Sequence, residues 1–185
     1  MPDIKQGGDT PFLTDVKTLR ERARQHIQAG AVTSNYGADP TVVCKVLNEA
    51  LATEIVCVLR YKRHYFMAQG IASDSVKAEF AEHATQEQEH ADRIAERIVQ
   101  LGGEPDLNPD TLTRRSHAEY VEGKSLVDML REDLVAERVA IESYREIATW
   151  LHGKDSTTKR MIEEILAVEE EHADDINSLL AGMKD

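Results

Sequence analysis

Two segments of this chain carry the same arrangement of metal-ligating residue types. Glu54 is followed 33 residues later by Glu87-Gln88-Glu89-His90, and Glu137 is followed 32 residues later by Glu169-Glu170-Glu171-His172. A Glu and a His three positions apart share one face of an α-helix, so the two can grip one ion together. A lone Glu on a partner helix adds a further carboxylate. Neither Cys44 nor Cys57 falls in these motifs, and carboxylates with imidazoles suit iron or manganese better than a thiolate set would. Four carboxylates and two imidazoles make up the ligand set of a dinuclear iron or manganese site inside a four-helix bundle.

With 34 acidic residues in 185, a single E-x-x-H on a solvated helix arises easily by chance. A pair, each preceded by a Glu at matching distance, does not. The candidate ligands are therefore Glu54, Glu87, His90, Glu137, Glu169 and His172, whereas Glu79, Glu82, Glu89 and Glu96 read as surface charges. Tyr61 lies seven residues after Glu54 and Tyr144 seven after Glu137, about two helical turns in each case, so each Tyr shares the face of its Glu. The default for a buried tyrosine is core packing with a hydrogen-bonded hydroxyl, and for Tyr144 that reading is preferred.

The elements that must position these groups are helices. Low aromatic content, few prolines and long alternations of Ala, Leu, Ile and Val with Glu, Arg and Asp point to an all-α protein. Residues 1–39 read as an amino-terminal extension: an arm over 1–13 with Gly7-Gly8 and Pro11, then a short amphipathic helix capped by Thr14 and closed near Ala29 by Gly30. Residues 40–185 read as the bundle. Asp39-Pro40, a capping side chain before a proline at the first helical position, starts a helix that runs to about Gly70. Ser73, Asp74 or Ser75 opens a second, ended by Gly102-Gly103. A long connection follows to about Lys124. Ser125 with Asp128 resembles a capping box and opens a third helix to about His152, and after Gly153 Asp155 or Ser156 starts the fourth, to about Ala181. The short linkers make antiparallel pairs. The long one must cross the whole bundle, and the repeated motif relates the pairs by a pseudo-twofold that brings six ligands to mid-bundle.

The charge of -12 is uneven. Residues 1–39 are neutral, so the acidic balance belongs to the rest of the chain, which attracts cations and repels nucleic acid. The short basic stretch Lys17, Arg20, Arg22 and Arg24 is interrupted by Glu21 and is assigned to a helix surface. Cys44 and Cys57 lie 13 residues apart on one helix. At about 1.5 Å per residue that is roughly 20 Å, too far for a disulfide with each other, which fits a reducing compartment. With no basic segment leading into an apolar one at the amino terminus and no uninterrupted bilayer-length apolar stretch, the chain is expected to be soluble and cytoplasmic.

The residues from about 40 to 181 resemble the ferritin superfamily, and within it the bacterioferritins and the Dps-like ferritins with a bacterioferritin-type centre. The resemblance rests on Glu54-Ile55-Val56-Cys57-Val58-Leu59-Arg60-Tyr61, on His90-Ala91-Asp92-Arg93 with Glu96-Arg97-Ile98, and on Glu169-Glu170-Glu171-His172. It implies terminal carboxylates from Glu54 and Glu137, bridging ones from Glu87 and Glu169, and one imidazole per ion from His90 and His172, with Tyr61 beside the centre as a source of a further electron. It also implies a di-iron ferroxidase that oxidises Fe(II) with O2 or H2O2 and stores mineral in a cage.

Three features depart from the bacterioferritin pattern. Gln88 stands where a haem-ligating Met would be, so haem is not expected. The chain stops 13 residues after His172, leaving no fifth helix. The amino-terminal extension and the longer crossover resemble the Dps-like group, which favours a homo-oligomeric 12-subunit cage over a 24-subunit one. Competing readings are a non-storage di-metal peroxidase, manganese catalase or oxygenase of the rubrerythrin type, and a DNA-protecting Dps particle. Rubrerythrins usually add a paired-cysteine iron domain, and true Dps proteins normally place the metal site at a subunit interface with different ligands. His26, His64, His83, His117 and His152 are expected in surface or core roles, Met67, Met129 and Met161 as core filler, and Arg114-Arg115 in a solvated loop.

Overall fold

The computed structural model describes residues 14–70 and 73–183, so the expected arm over 1–13 lies outside it. Six α-helices follow one another: α1 Val16–Ala23, α2 Pro40–Met67, α3 Ser73–Gln100, α4 Leu112–Arg115, α5 Leu126–Leu151 and α6 Ser156–Gly182. Three long helices start where local capping chemistry places them. The Asp39 carboxylate accepts the Thr41 N–H with Pro40 in the first turn, the Ser125 hydroxyl accepts the Asp128 N–H, and Asp155 accepts the N–H groups of Thr157 and Thr158. Gly102, at φ 80°, turns the chain after α3. Gly103 then passes so close to α2 that an added Cβ would sit 2.6 Å from the Cys44 sulfur.

The amino-terminal helix differs from expectation. Asp15, not Thr14, caps α1, taking the Thr18 N–H at 3.0 Å, and the helix stops at Ala23. His26 at φ 51° is left-handed and cannot continue it, and α1 buries no residue that packing could use to extend it. Met67 is also not core filler: it ends α2 and is 46% exposed.

Cross-helix pairs give the directions. Tyr61 meets Glu137 while Tyr144 meets Glu54, so α2 and α5 run antiparallel. Gln86 meets His172 while Arg97 meets Thr158, so α3 and α6 do the same. The 102–125 connection must then travel the bundle's length, and it does so by climbing α2. Asn48 is bonded to Glu104 and Asp106, Thr53 to His117, Arg60 to Glu119, and His64 to Val121 and Glu122. Arg115 is no solvated loop residue: its guanidinium donates to the carbonyls of Asn48 at 2.9 Å and Asp106 at 2.7 Å and pins the crossover to α2.

The interior has two apolar layers with a polar layer between them. One is built on Leu47, Leu51, Ile94, Ile98, Leu151, Ile162 and Ile165, the other on Phe80, Val76, Leu130, Met129, Ile176 and Leu180. Among the described residues no helix is long and apolar enough to cross a membrane.

Candidate metal centre

Six side chains fill the polar layer: Glu54 from α2, Glu87 and His90 from α3, Glu137 from α5, and Glu169 and His172 from α6. All are buried. They are the six expected from the repeat, and the bundle brings them together in two overlapping quartets. Glu54, Glu87, His90 and Glu169 form one; Glu87, Glu137, Glu169 and His172 form the other; within each, one ligand atom per residue lies within 4.8 Å of the rest. Glu87 and Glu169 belong to both. His90 Nδ1 lies 3.0 Å from Glu169 and 3.5 Å from Glu54, and His172 Nδ1 lies 3.4 Å from Glu87 and 3.5 Å from Glu169.

A buried polar atom without a hydrogen bond costs on the order of 1–3 kcal/mol, so such atoms are rare. Here seven converge: Glu54 Oε2, Glu87 Oε1, His90 Nδ1, Glu137 Oε2, both Glu169 oxygens and His172 Nδ1. Every one of the six residues contributes at least one, and Glu169 contributes two. Three of their other atoms are held. The Tyr144 hydroxyl donates to Glu54 Oε1 and the Tyr61 hydroxyl to Glu137 Oε1. His172 Nε2 donates to Gln86 Oε1 at 2.7 Å, which leaves Nδ1 as its ligand atom. The donor set and its geometry fit two cations bridged by Glu87 and Glu169.

Electrostatics of the metal-free layer point the same way. Burial, then the charges of Glu87 and Glu169, push Glu54 well above the usual carboxylate range. Burial and then Glu87 do this to Glu137. Burial opposes charge on the rings as well. The surrounding carboxylates outweigh it, Glu169, Glu54 and Glu87 at His90 and Glu137, Glu169 and Glu87 at His172, and push both imidazoles up to about 12. Protons thus sit on both rings of the metal-free layer. Burial first, then neighbouring carboxylates, keep the Tyr61 and Tyr144 hydroxyls protonated and able to donate.

Two contributors, Gln86 and His83, escaped the sequence reading. Tyr144 packs in the core with a hydrogen-bonded hydroxyl, as expected, and the bond's acceptor is a candidate ligand, Glu54. Gln86 orients His172. His83 is buried with its ring stacked 3.9 Å from that of His172 and its Nδ1 3.2 Å from the Tyr61 oxygen. The signal for His83 was present as Glu79, His83 and Glu87 at four-residue steps along one helical face. Burial, then the charge on His172, holds the His83 ring down to about 3, so it is neutral. Glu79, expected as a surface charge, is half-buried beside it at 3.2 Å.

A family profile described as ferritin-like domain matches residues 44–185. A nutrient stress-induced DNA-binding protein from Synechococcus sp. is 30% identical over 142 residues, covering 75% of this chain and 81% of that protein. A bacterioferritin from Desulfovibrio desulfuricans is 28% identical over 131 residues, covering 70% and 69%. Among solved structures, the dodecameric thioferritin of Bacteroides fragilis, a bacterioferritin-related protein, superimposes with a TM-score of 0.76 at 34% identity, over 80% of this chain and 89% of that one.

Proposed function

The chain belongs to the ferritin-like family, and on that premise we propose that it stores and detoxifies iron, oxidising Fe(II) to Fe(III) with O2 or H2O2 at a di-iron ferroxidase centre. The observation that carries this reading is the convergence of seven unpaired buried atoms from six residues on two adjoining points. Glu54 and Glu137 would each hold one ion, Glu87 and Glu169 would be shared by both, and His90 and His172 would complete one ion each. Two Fe(II) ions held side by side would supply one electron each, which with two protons reduce H2O2 to water as both ions become Fe(III), without a free radical. Manganese accepts the same donors.

The protein's part is positional. Tyr61 and Tyr144 each hold one oxygen of a terminal carboxylate, which turns the other oxygen toward the ions. Gln86 sets the His172 ring. The apolar layers above and below keep bulk water from the centre, so charge within it is weakly screened. We extend to this chain the dodecameric assembly stated for the Bacteroides fragilis relative, as a hollow homo-oligomer that retains the mineral, and we place it in the cytoplasm, where its free thiols Cys44 and Cys57 stay reduced. The DNA binding named for the Synechococcus relative is not extended, because a net charge of -12 opposes it.

Aerobic Fe(II) titration of metal-free protein, followed by size exclusion with iron and protein measured in each fraction, tests the reading. Iron far beyond two ions per chain should co-elute with a particle of dodecamer mass. A Glu87→Ala/Glu169→Ala variant should oxidise Fe(II) slowly. Loading that stops near two ions per chain on a small oligomer would replace storage with a discrete di-metal peroxidase or oxygenase.

A further inference from the structure

Glu79, His83 and Asp175 form a second cluster of ligand types outside the centre, with one ligand atom from each lying within 4.8 Å of the others. Glu79 and His83 stand one turn apart on α3, and Asp175 faces them from α6. The imidazole is buried, its side chain 2% exposed, while Glu79 and Asp175 are 29% and 47% exposed and line an open groove between α3 and α6 with Leu179 and Met183. The cluster thus has one wall in the protein interior and one in solvent.

Hydrogen-bond accounting decides which way the ring faces. Tyr61 has one hydroxyl proton and gives it to Glu137, so toward His83 its oxygen can only accept. The ring therefore donates from Nδ1. Nε2 is turned toward the two carboxylates, 3.2 Å from a Glu79 oxygen and 3.9 Å from an Asp175 oxygen. A cation standing among them would take all three as ligands. One imidazole and two carboxylates with solvent on the open side suit a divalent transition metal that keeps several waters.

We propose that Glu79, His83 and Asp175 form a third divalent-cation site, at the outer mouth of the centre, where incoming Fe(II) docks before reaching His172. The ring stacked on His172 separates this site from the inner pair by the thickness of one imidazole contact. Docking of Fe(II) rests on the ferroxidase reading; binding of a cation here does not.

Anaerobic titration with Co(II), read by its visible absorption and by metal analysis after desalting, tests the site in the assembled protein. The isosteric variant Glu79→Gln/Asp175→Asn should bind one Co(II) fewer per chain than the wild type and oxidise sub-saturating Fe(II) more slowly. Glu87→Ala/Glu169→Ala should lose the inner ions and keep the outer one. Equal counts for wild type and Glu79→Gln/Asp175→Asn, or equal oxidation rates, would overturn the proposal. Equal counts for wild type and Glu87→Ala/Glu169→Ala would instead overturn the inner centre, so the two failures are distinguishable.

Discussion

Tyr61 and Tyr144 donate crosswise, Tyr61 of α2 to Glu137 of α5 and Tyr144 of α5 to Glu54 of α2. Each therefore steadies the other half's carboxylate, although in sequence each stands two turns from its own. A hydrogen bond to a charged group is worth about 1.5–3 kcal/mol. Tyr61→Phe is expected to leave the first Fe(II) oxidation in place and to slow the turnovers after it, because Tyr61 also joins the centre to His83. Stopped-flow mixing with successive Fe(II) additions reads this, and unchanged later turnovers would remove Tyr61 from the mechanism. Protonation at the same scale gives a second expectation. His90 and His172 hold protons up to about 12 in the metal-free protein, and Glu54 and Glu137 titrate above their usual range. Cations must displace those protons, so affinity should rise with pH and binding should release protons. Calorimetry in buffers of different ionisation enthalpy measures the release. The candidate ligands were legible because their spacing is a property of one helix, and the tyrosines' partners were not, because they sit on another.

At the scale of elements, Asp155 joins three parts of the chain. It caps α6, accepts the Tyr36 hydroxyl at 2.5 Å from the amino-terminal extension, and pairs with Arg97 of α3 at 3.1 Å. Burial would raise its pKa, but the bonds from Thr158, Tyr36 and Arg97 outweigh that and hold it at about 2. The folded value lies below the ordinary 3.8, so its stabilisation is present above that pH and disappears as pH falls toward about 2. Asp155→Asn should lower stability at neutral pH, and the gap to wild type should close in acid, as read by denaturant melts across pH. Arg60 holds α2 to α5 through Asp133 at 2.7 Å, with His64 on the other carboxylate oxygen at 2.8 Å, all fully buried. Arg60→Ala should cost about 3–5 kcal/mol in the same melts, since it leaves a buried carboxylate without its guanidinium. Helix starts at Asp39, Ser125 and Asp155 were readable because caps are local. The length of α1 was not, because the apolar spacing that suggested a longer helix finds nothing in the bundle to pack on.

The whole molecule is a buried polar layer held between two apolar layers. Packing keeps these groups out of water, and in the absence of cations their unpaired buried atoms work against it. Metal should therefore raise the melting temperature. Saturation at a hundredfold excess over Kd contributes about 2.7 kcal/mol per independent site. Scanning calorimetry should show that gain in the wild type and the loss of the inner centre's share of it in Glu87→Ala/Glu169→Ala. A melting temperature unmoved by Fe(II) or Co(II) under anaerobic conditions would mean that the layer does not bind them.

From the sequence alone came the four long helices, the caps of three of them at Asp39, Ser125 and Asp155, the six candidate ligands and the pseudo-twofold expected to gather them. These follow from helix periodicity and from the identity of neighbours within a few residues, which a linear pattern records. Tertiary structure alone decided that the crossover climbs α2 from Asn48 to His64, that Arg115 pins it there, that each tyrosine serves the opposite carboxylate, and that His83 faces Glu79 and Asp175 from behind His172. Those pairings depend on the register and rotation of one helix against another. That register is set by how the apolar layers interdigitate, a property of all the helices at once that no single stretch of sequence contains.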